Sequence, residues 1–429
     1  MRFSHVAWNL GGLALPLGVA VFTVPSLIAN LGRERFGLLA LAWGLIGYAS
    51  ALDLGLGRAL TQMVARLRGK GELSNIPDVL ITAGRITLVT GLIFGALIAL
   101  LALVGAYRWI HVEDTPANEI LIAMLMLATA LPAQAMSATY RGLNEAFLNF
   151  KGISLLRAGL GVVNFAGPYV ICLFTLRLPW VVAPLVLSRL LALFIYRQLA
   201  FGCLQKEPET RGNASYSKAI ARRLFSFGGW VTVSNIISPI LVQADRFVIA
   251  SVLSAAAVSV YVIPYEAVVQ SLILVGAVSS VMFPGLSKIM EESPDQWRDY
   301  FNRWLWRVTG LMSLVCIAMA VLLPVVLPLW IKGHLDSRSV LIGQVLCLGV
   351  FANAVGSMFF ALLHARGRAD VSAKLHVIEL PLFLVALFFL ISQMGIVGAA
   401  WAWVARMGVD AAALAWRARD TLKPLTKKY

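Results

Sequence analysis

Five arginines, Arg85, Arg157, Arg189, Arg246 and Arg406, lie in otherwise apolar runs of this chain, and so do the acids Asp245, Glu266, Glu379 and Asp410. Charge at such positions is costly, and it faces a cavity or a partner. Arginine presents a permanently charged fork of donors that matches phosphate and carboxylate oxygens better than a lysine ammonium does. All five bases being Arg therefore suits the binding of a phosphate or diphosphate. Arg189, Glu379 and Arg406 fall near the middle of their runs, where snorkelling to the surface is hardest, and Glu266 is close to that depth. Arg85 and Arg157 sit about a turn and a half from one end, where reaching headgroups is as good a reading as lining a cavity. The acids suggest coupling. Glu266 follows Pro264 and Glu379 precedes Pro381, so protonation of either could be tied to a helix bend. The plainer readings stand beside these. Arg406 and Asp410 are one turn apart and could neutralise each other. Asp245 and Arg246, at a helix end, read as structural, and Asp53 reads as the N-cap of a short helix.

The runs that hold these charges are long. Residues 6–30 contain no charged side chain, and about twelve long, mostly apolar segments follow one another: 6–30, 37–54, 79–105, 117–144, 152–176, 179–200, 225–247, 257–283, 308–331, 339–362, 370–391 and 395–417. About 20 apolar residues in a helix cross a ~30 Å hydrocarbon layer. The composition agrees: 59% hydrophobic, 13% charged and a mean hydropathy of +0.81, where soluble domains carry about 25% charged residues. This predicts an all-α membrane protein with about twelve transmembrane helices. The first run is too long for the apolar core of a signal peptide. The net charge of +15 belongs with positively charged membrane loops rather than with nucleic acid.

Lys and Arg are about fourfold more numerous in the loops on the side of the N-terminus, which places both termini in the cytoplasm. A polar stretch, 206–224, divides the chain into an N-terminal lobe, 1–205, and a C-terminal lobe, 225–429. Its second part, from Lys218, suits a basic amphipathic helix on the membrane surface. Trp8 and Pro16 have counterparts in Trp230 and Pro239, a faint repeat that implies two six-helix bundles around a central cavity. Trp8, Trp43 and Trp230 could line that cavity, although interfacial anchoring accounts for most membrane tryptophans. Gly91 and Gly95 form a small-xxx-small helix-packing pattern. The four cysteines are scattered, and neither a disulfide framework nor a metal site is expected. No P-loop, HExxH or GxSxG pattern is present, so the reading is of a non-enzyme without a cofactor.

Two segments carry a resemblance. LGRERFGLLALAWGLIGYASALDLGLGRAL (31–60) and FSFGGWVTVSNIISPILVQADRFVIASVLSAAAVSVYVIPYEAV (225–268), the latter followed by VMFPGLSK (281–288), are similar to polysaccharide flippases of the O-antigen type. These belong to the multidrug/oligosaccharidyl-lipid/polysaccharide exporter superfamily. The resemblance implies a MATE-like fold in the bacterial inner membrane. It also implies transport of a polyprenyl-diphosphate-linked oligosaccharide by alternating access, alongside the polymerase and glycosyltransferases of a surface-polysaccharide pathway. Arg85, Arg157, Arg189 and Arg406 would then meet the substrate, and Glu266, Glu379 and Asp410 would couple its movement to an ion. Two rivals remain at this level. A cation-coupled multidrug exporter of the same fold would need acids in the first lobe, and the first helix has none. A membrane polymerase or ligase would need a sizeable outer loop, and the longest loop lies inside.

Overall fold

The apolar runs all become helix. The computed structural model describes residues 3–49, 55–210, 214–227, 229–292, 296–331, 335–366 and 368–422, with the side chains of 3–14, 48–49, 58, 150, 208, 225–236, 238–239, 280–281, 283–285, 287–288, 291–292, 369 and 420–422 outside that description. The α-helices are α1 (Phe3–Ala49), α2 (Leu56–Lys70), α3 (Ile76–Leu103), α4 (Ala117–Ala146), α5 (Phe150–Cys172), α6 (Leu178–Gln205) and α7 (Lys218–Phe227). They continue as α8 (Gly229–Val252), α9 (Ala255–Val269), α10 (Ile273–Glu292), α11 (Trp297–Ile331), α12 (Ser337–Ala365), α13 (Ala369–Met394) and α14 (Ile396–Leu422). Among the described residues, nine helices are long and apolar enough to cross a membrane. The chain is a multi-pass membrane protein. Exposed side chains such as Phe22, Leu314 and Phe389 are what a lipid-facing surface requires, since lipid tails favour apolar groups.

Helix α1 holds both of the first two expected spans. They join at Gly32, whose φ of +74° and ψ of 172° break the helical path. Only glycine reaches that backbone region without a steric penalty, so the sharp change of direction is encoded by one residue. Just beyond it, the Glu34 carboxylate accepts hydrogen bonds from the backbone N–H groups of Glu113, Asp114 and Thr115 and from the Thr115 hydroxyl. This fastens the start of the second span to the loop before α4.

The chain forms two compact units, residues 1–239 with 254–256, and 240–253 with 257–429. In the first, α3 packs along α4, α4 along α6, and α1 along α5. Gly91 and Gly95 lie against α4 so closely that a Cβ on either would meet Pro132 Cα at 2.6 Å or the Ala128 carbonyl at 2.9 Å. Small residues let membrane helices approach in this way. The buried hydroxyls of Thr87 and Thr139 bond across the same interface at 2.9 Å. Helices α2 and α7 do not float. Their apolar faces join a core with α3, α4 and α6 that includes Leu60, Val64, Leu143 and Leu224. In the second unit, α12 packs against α11 and α14, and α13 against α14.

Candidate functional site

In the first unit, α4, α5 and α6 enclose a pocket of about 250 Å³. Its wall carries Arg141 from α4, Arg157 and Asn164 from α5, and Arg189 and Tyr196 from α6, with no acidic side chain among the lining residues. Arg189 is 7% exposed. Its Nη2 donates to the Asn164 side-chain oxygen at 2.7 Å, while its Nε is buried without a hydrogen-bond partner. The Trp43 indole N–H of α1 donates to the Asn164 backbone carbonyl at 3.1 Å, tying α1 to this stretch of α5. Arg141 leans toward Glu145 one turn on, at 3.7 Å, and both side chains are partly exposed. The pocket therefore gathers three guanidinium groups: Arg141 leaning on Glu145, an exposed Arg157, and a buried Arg189 whose one hydrogen-bond partner shown is a neutral amide. A buried cation with only neutral partners is poorly compensated, and an anion completes it.

The second unit holds a different arrangement. Asp245 is fully buried and accepts from the Tyr261 hydroxyl at 2.8 Å and from the Arg246 backbone N–H at 2.7 Å. The Arg246 guanidinium donates to Glu266 at 2.5 Å and lies over the Tyr265 ring, 5.5 Å from its centroid. Tyr265 stacks on Tyr261 and meets Trp403 edge-on, each at 5.6 Å. Every charge here has an opposite charge or a hydroxyl.

A second cluster lies between α13 and α14. His376, Glu379 and Asp410 bring one nitrogen and two carboxylate oxygens within 4.8 Å of one another. Arg406 approaches Glu379 at 3.9 Å, and its Nη1 donates to the Leu241 carbonyl of α8 at 2.9 Å. Both Glu379 oxygens and one of Asp410 are buried without a hydrogen-bond partner. Two carboxylates and one guanidinium leave one negative charge over, which a proton or a small cation would neutralise. The three groups have metal-ligand chemistry, with the Arg406 guanidinium already beside them as a resident cation.

The sequence candidates sort accordingly. Arg157 and Arg189 share one pocket, and Trp43 orients its wall. Arg85 is not among the pocket's lining residues. It is exposed, with its guanidinium 5.9 Å from the Tyr216 ring. Arg406 meets Glu379 rather than Asp410, and Glu266 is taken by Arg246. The side chains of Trp8 and Trp230, and all of Asp53, lie outside the described residues. Sequence reasoning passed over Arg141, Asn164, Tyr196 and His376. Only His376 left a signal, its i, i+3 spacing to Glu379 on one helix face.

Comparison with known proteins gives the family and the fold. A family model described as "Polysaccharide biosynthesis protein" matches residues 6–290. A candidate O-antigen transporter of Shigella flexneri is 28% identical over 406 residues, covering 93% of each chain. The lipopolysaccharide biosynthesis protein WzxC of Escherichia coli K12 is 24% identical over 402 residues, 92% of this chain and 76% of that one. Among solved structures, an inward-facing multidrug resistance MATE family transporter of the MOP superfamily superposes with a TM-score of 0.76 at 14% identity, over 98% of this chain and all of the other. A Pyrococcus furiosus MOP transporter, reported with a binding pocket of reversed polarity, gives 0.65 at 13% identity, over 99% and 96%. The fold is thus MATE-like, and the chain belongs to the polysaccharide biosynthesis protein family.

Proposed function

We propose that this protein is a flippase that carries a polyprenyl-diphosphate-linked oligosaccharide, of the O-antigen class, across the bacterial inner membrane by alternating access. The acid-free pocket of Arg141, Arg157 and Arg189 is the observation that carries the reading. A diphosphate brings the negative charge these guanidiniums lack, and arginine can hold it bidentately. The polyprenyl tail stays in lipid and the sugars cross through a hydrated path. No bond is made or broken, so the protein is a transporter and not an enzyme. The family membership, one relative named as an O-antigen transporter and another named as a lipopolysaccharide biosynthesis protein support the same substrate class. Both termini are read as cytoplasmic, and the lobes 1–205 and 225–429 as the two moving halves.

The cluster of Glu379, Asp410, His376 and Arg406 is the coupling site in this scheme. Protonation of Glu379 would release Arg406 from its ion pair and leave it on the Leu241 carbonyl. The ionised state restores the pair between α13 and α14. Glu266, held by Arg246, is assigned a supporting role.

The deciding experiment reconstitutes the full chain in vesicles with a polyprenyl-diphosphate-linked sugar, and reads sugar appearing at the far leaflet. Arg189→Ala is expected to abolish transport at normal protein level, and Arg189→Lys to keep part of it. Undiminished transport by Arg189→Ala would remove the pocket from the mechanism. An impermeant thiol reagent that labels a cysteine placed after Lys428 in intact cells would overturn the topology.

A further inference from the structure

The pocket of the first unit is not uniform along its length. Each of its three helices lines it with two polar side chains seven residues apart: Gln134 and Arg141 on α4, Arg157 and Asn164 on α5, Arg189 and Tyr196 on α6. Seven residues are two turns, about 10 Å of helix. The register is pinned at two points. Arg189 reaches Asn164 at 2.7 Å, and the Asn144 side chain of α4 donates to the Tyr196 carbonyl at 3.2 Å. Short loops join the three helices, so α5 runs opposite to α4 and α6. Arg141, Arg157 and Tyr196 therefore fall toward one end of the pocket, and Gln134 lies toward the other. Asn164 and Arg189, level with each other, stand between Arg157 and Gln134.

The amides call for a different partner from the arginines. Gln134 is half-buried, and its side chain hydrogen-bonds to no described residue. Asn164 gives its oxygen to Arg189 and keeps its amide nitrogen uncommitted. A glutamine amide offers a donor and an acceptor side by side. A diphosphate only accepts, and would set its oxygens against the Gln134 oxygen. A prenyl chain would bury the amide without a partner, at a cost. A sugar carries neighbouring hydroxyls, each both donor and acceptor, and satisfies the whole amide edge. Of the three parts of a polyprenyl-diphosphate-linked oligosaccharide, the sugar is the one that fits this end. Size limits how much of it enters. The pocket's volume of about 250 Å³ is below the roughly 300–1,000 Å³ that encloses a drug-sized ligand. That is room for a diphosphate and one sugar, and not for an oligosaccharide.

We propose that Gln134 and the Asn164 amide nitrogen form a subsite for the sugar joined directly to the diphosphate. The inference deepens the flippase reading and rests on it. Arg141 and Arg157 hold the phosphate nearer the prenyl chain, and Arg189, beside Asn164, meets the phosphate nearer the sugar. Gln134 then sets specificity by pairing with one hydroxyl edge of that sugar. Later sugars stay outside the pocket and are not read.

Calorimetric titration of the full chain in detergent tests this with short-chain prenyl diphosphates. They are used bare, with one glucose, rhamnose or N-acetylglucosamine, and with three sugars. The parent should bind one of the single-sugar ligands roughly tenfold more tightly than the bare diphosphate, the worth of one or two neutral hydrogen bonds. Gln134→Leu should bring that ratio to about one, while Gln134→Asn, which keeps an amide, should retain part of it. Arg157→Gln should weaken bare and glycosylated ligands alike and keep the parent ratio. Extending the best ligand from one sugar to three should change affinity by no more than about twofold, since groups outside the pocket keep their water. Should Gln134→Leu fail to fold, Gln134→Ala carries the same comparison. A ratio of one in the parent for every sugar would overturn the proposal. So would a parent-like ratio in Gln134→Leu, or a gain from each added sugar equal to the first. Binding of the bare diphosphate, and its loss in Arg189→Ala, reads the arginines alone. A parent that binds the bare ligand but shows no preference loses only the sugar subsite, and one that binds neither loses the diphosphate pocket as well.

Discussion

The two units handle buried arginine in opposite ways. Arg246 of the second unit has Glu266 at 2.5 Å and an aromatic ring beneath it, and Asp245 beside it has its own hydroxyl donor. Arg189 of the first unit has one amide oxygen at 2.7 Å and a pocket beyond. The first arrangement is electrically closed, and the protein supplies every counter-charge. The second is open, and only something from outside can complete it. A buried cation with a carboxylate already on it fixes shape, while a buried cation among neutral dipoles is held ready for an anion. Burial alone does not separate a structural charge from a binding charge; the nature of the partner does.

The largest effect that could break this comparison is on stability. Arg246→Gln takes the positive charge from beside the fully buried Asp245 and removes the cation over Tyr265, and it should destabilise the folded protein by about 1–3 kcal/mol, the cost of leaving a buried polar group poorly compensated. Thermal unfolding in detergent measures this. If the variant melts with the parent, the closed network is not what holds α8 to α9. Next comes a substitution that closes the open site. Asn164→Asp gives Arg189 a carboxylate of its own, and a charged partner strengthens that bond by about 1.5–3 kcal/mol. Transport should fall roughly tenfold to hundredfold by the same figure, with no loss of stability. Parent-like transport by Asn164→Asp would show that the Arg189 charge is not offered to substrate.

A smaller effect is expected at the α13–α14 cluster. Glu379→Gln removes the negative charge that His376, Asp410 and Arg406 face, and should slow transport severalfold while flattening its pH dependence. Unchanged pH dependence in vesicles with an imposed proton gradient would make Glu379 a packing residue. The smallest is Arg85→Ala. Its side chain is exposed, and transport should stay within about twofold of the parent, as for most surface charges. A large loss there would mean that substrate is met well outside the pocket.

Much of this was legible in the chain. Helix formation, membrane residence and the family followed from apolar runs of spanning length and from two motif-bearing segments. Arg157 and Arg189 stood out because charge in an apolar run is conspicuous. Asn164 did not, since a neutral amide in a span has no periodic or compositional mark, and its role exists only because α5 sets it against α6. A base such as Arg406 beside Glu379 was readable, but that Arg406 takes Glu379 and not Asp410 was not. Spacing along one helix suggested the nearer partner, and the fold offered a better one on the neighbouring helix. For Arg85 and Arg157 the sequence left a cavity wall and the headgroup surface open alike, and the fold separates them: both are exposed, but only Arg157 lines the pocket.

The clasp at Glu34 has a consequence for how the chain is made. Its donors lie 79 to 81 residues further along. When the second half of α1 enters the bilayer, the backbone of 113–115 has yet to leave the ribosome, and the carboxylate waits in water. Closing so long a loop adds little entropy cost over a shorter one, about 0.6 kcal/mol per doubling of length. The turn at Gly32 is encoded locally, but the clasp that fastens it can close only once α3 has crossed and its return loop has formed. The first two spans can enter the membrane as an unfastened hairpin, and its anchoring to that loop is a late event in biogenesis.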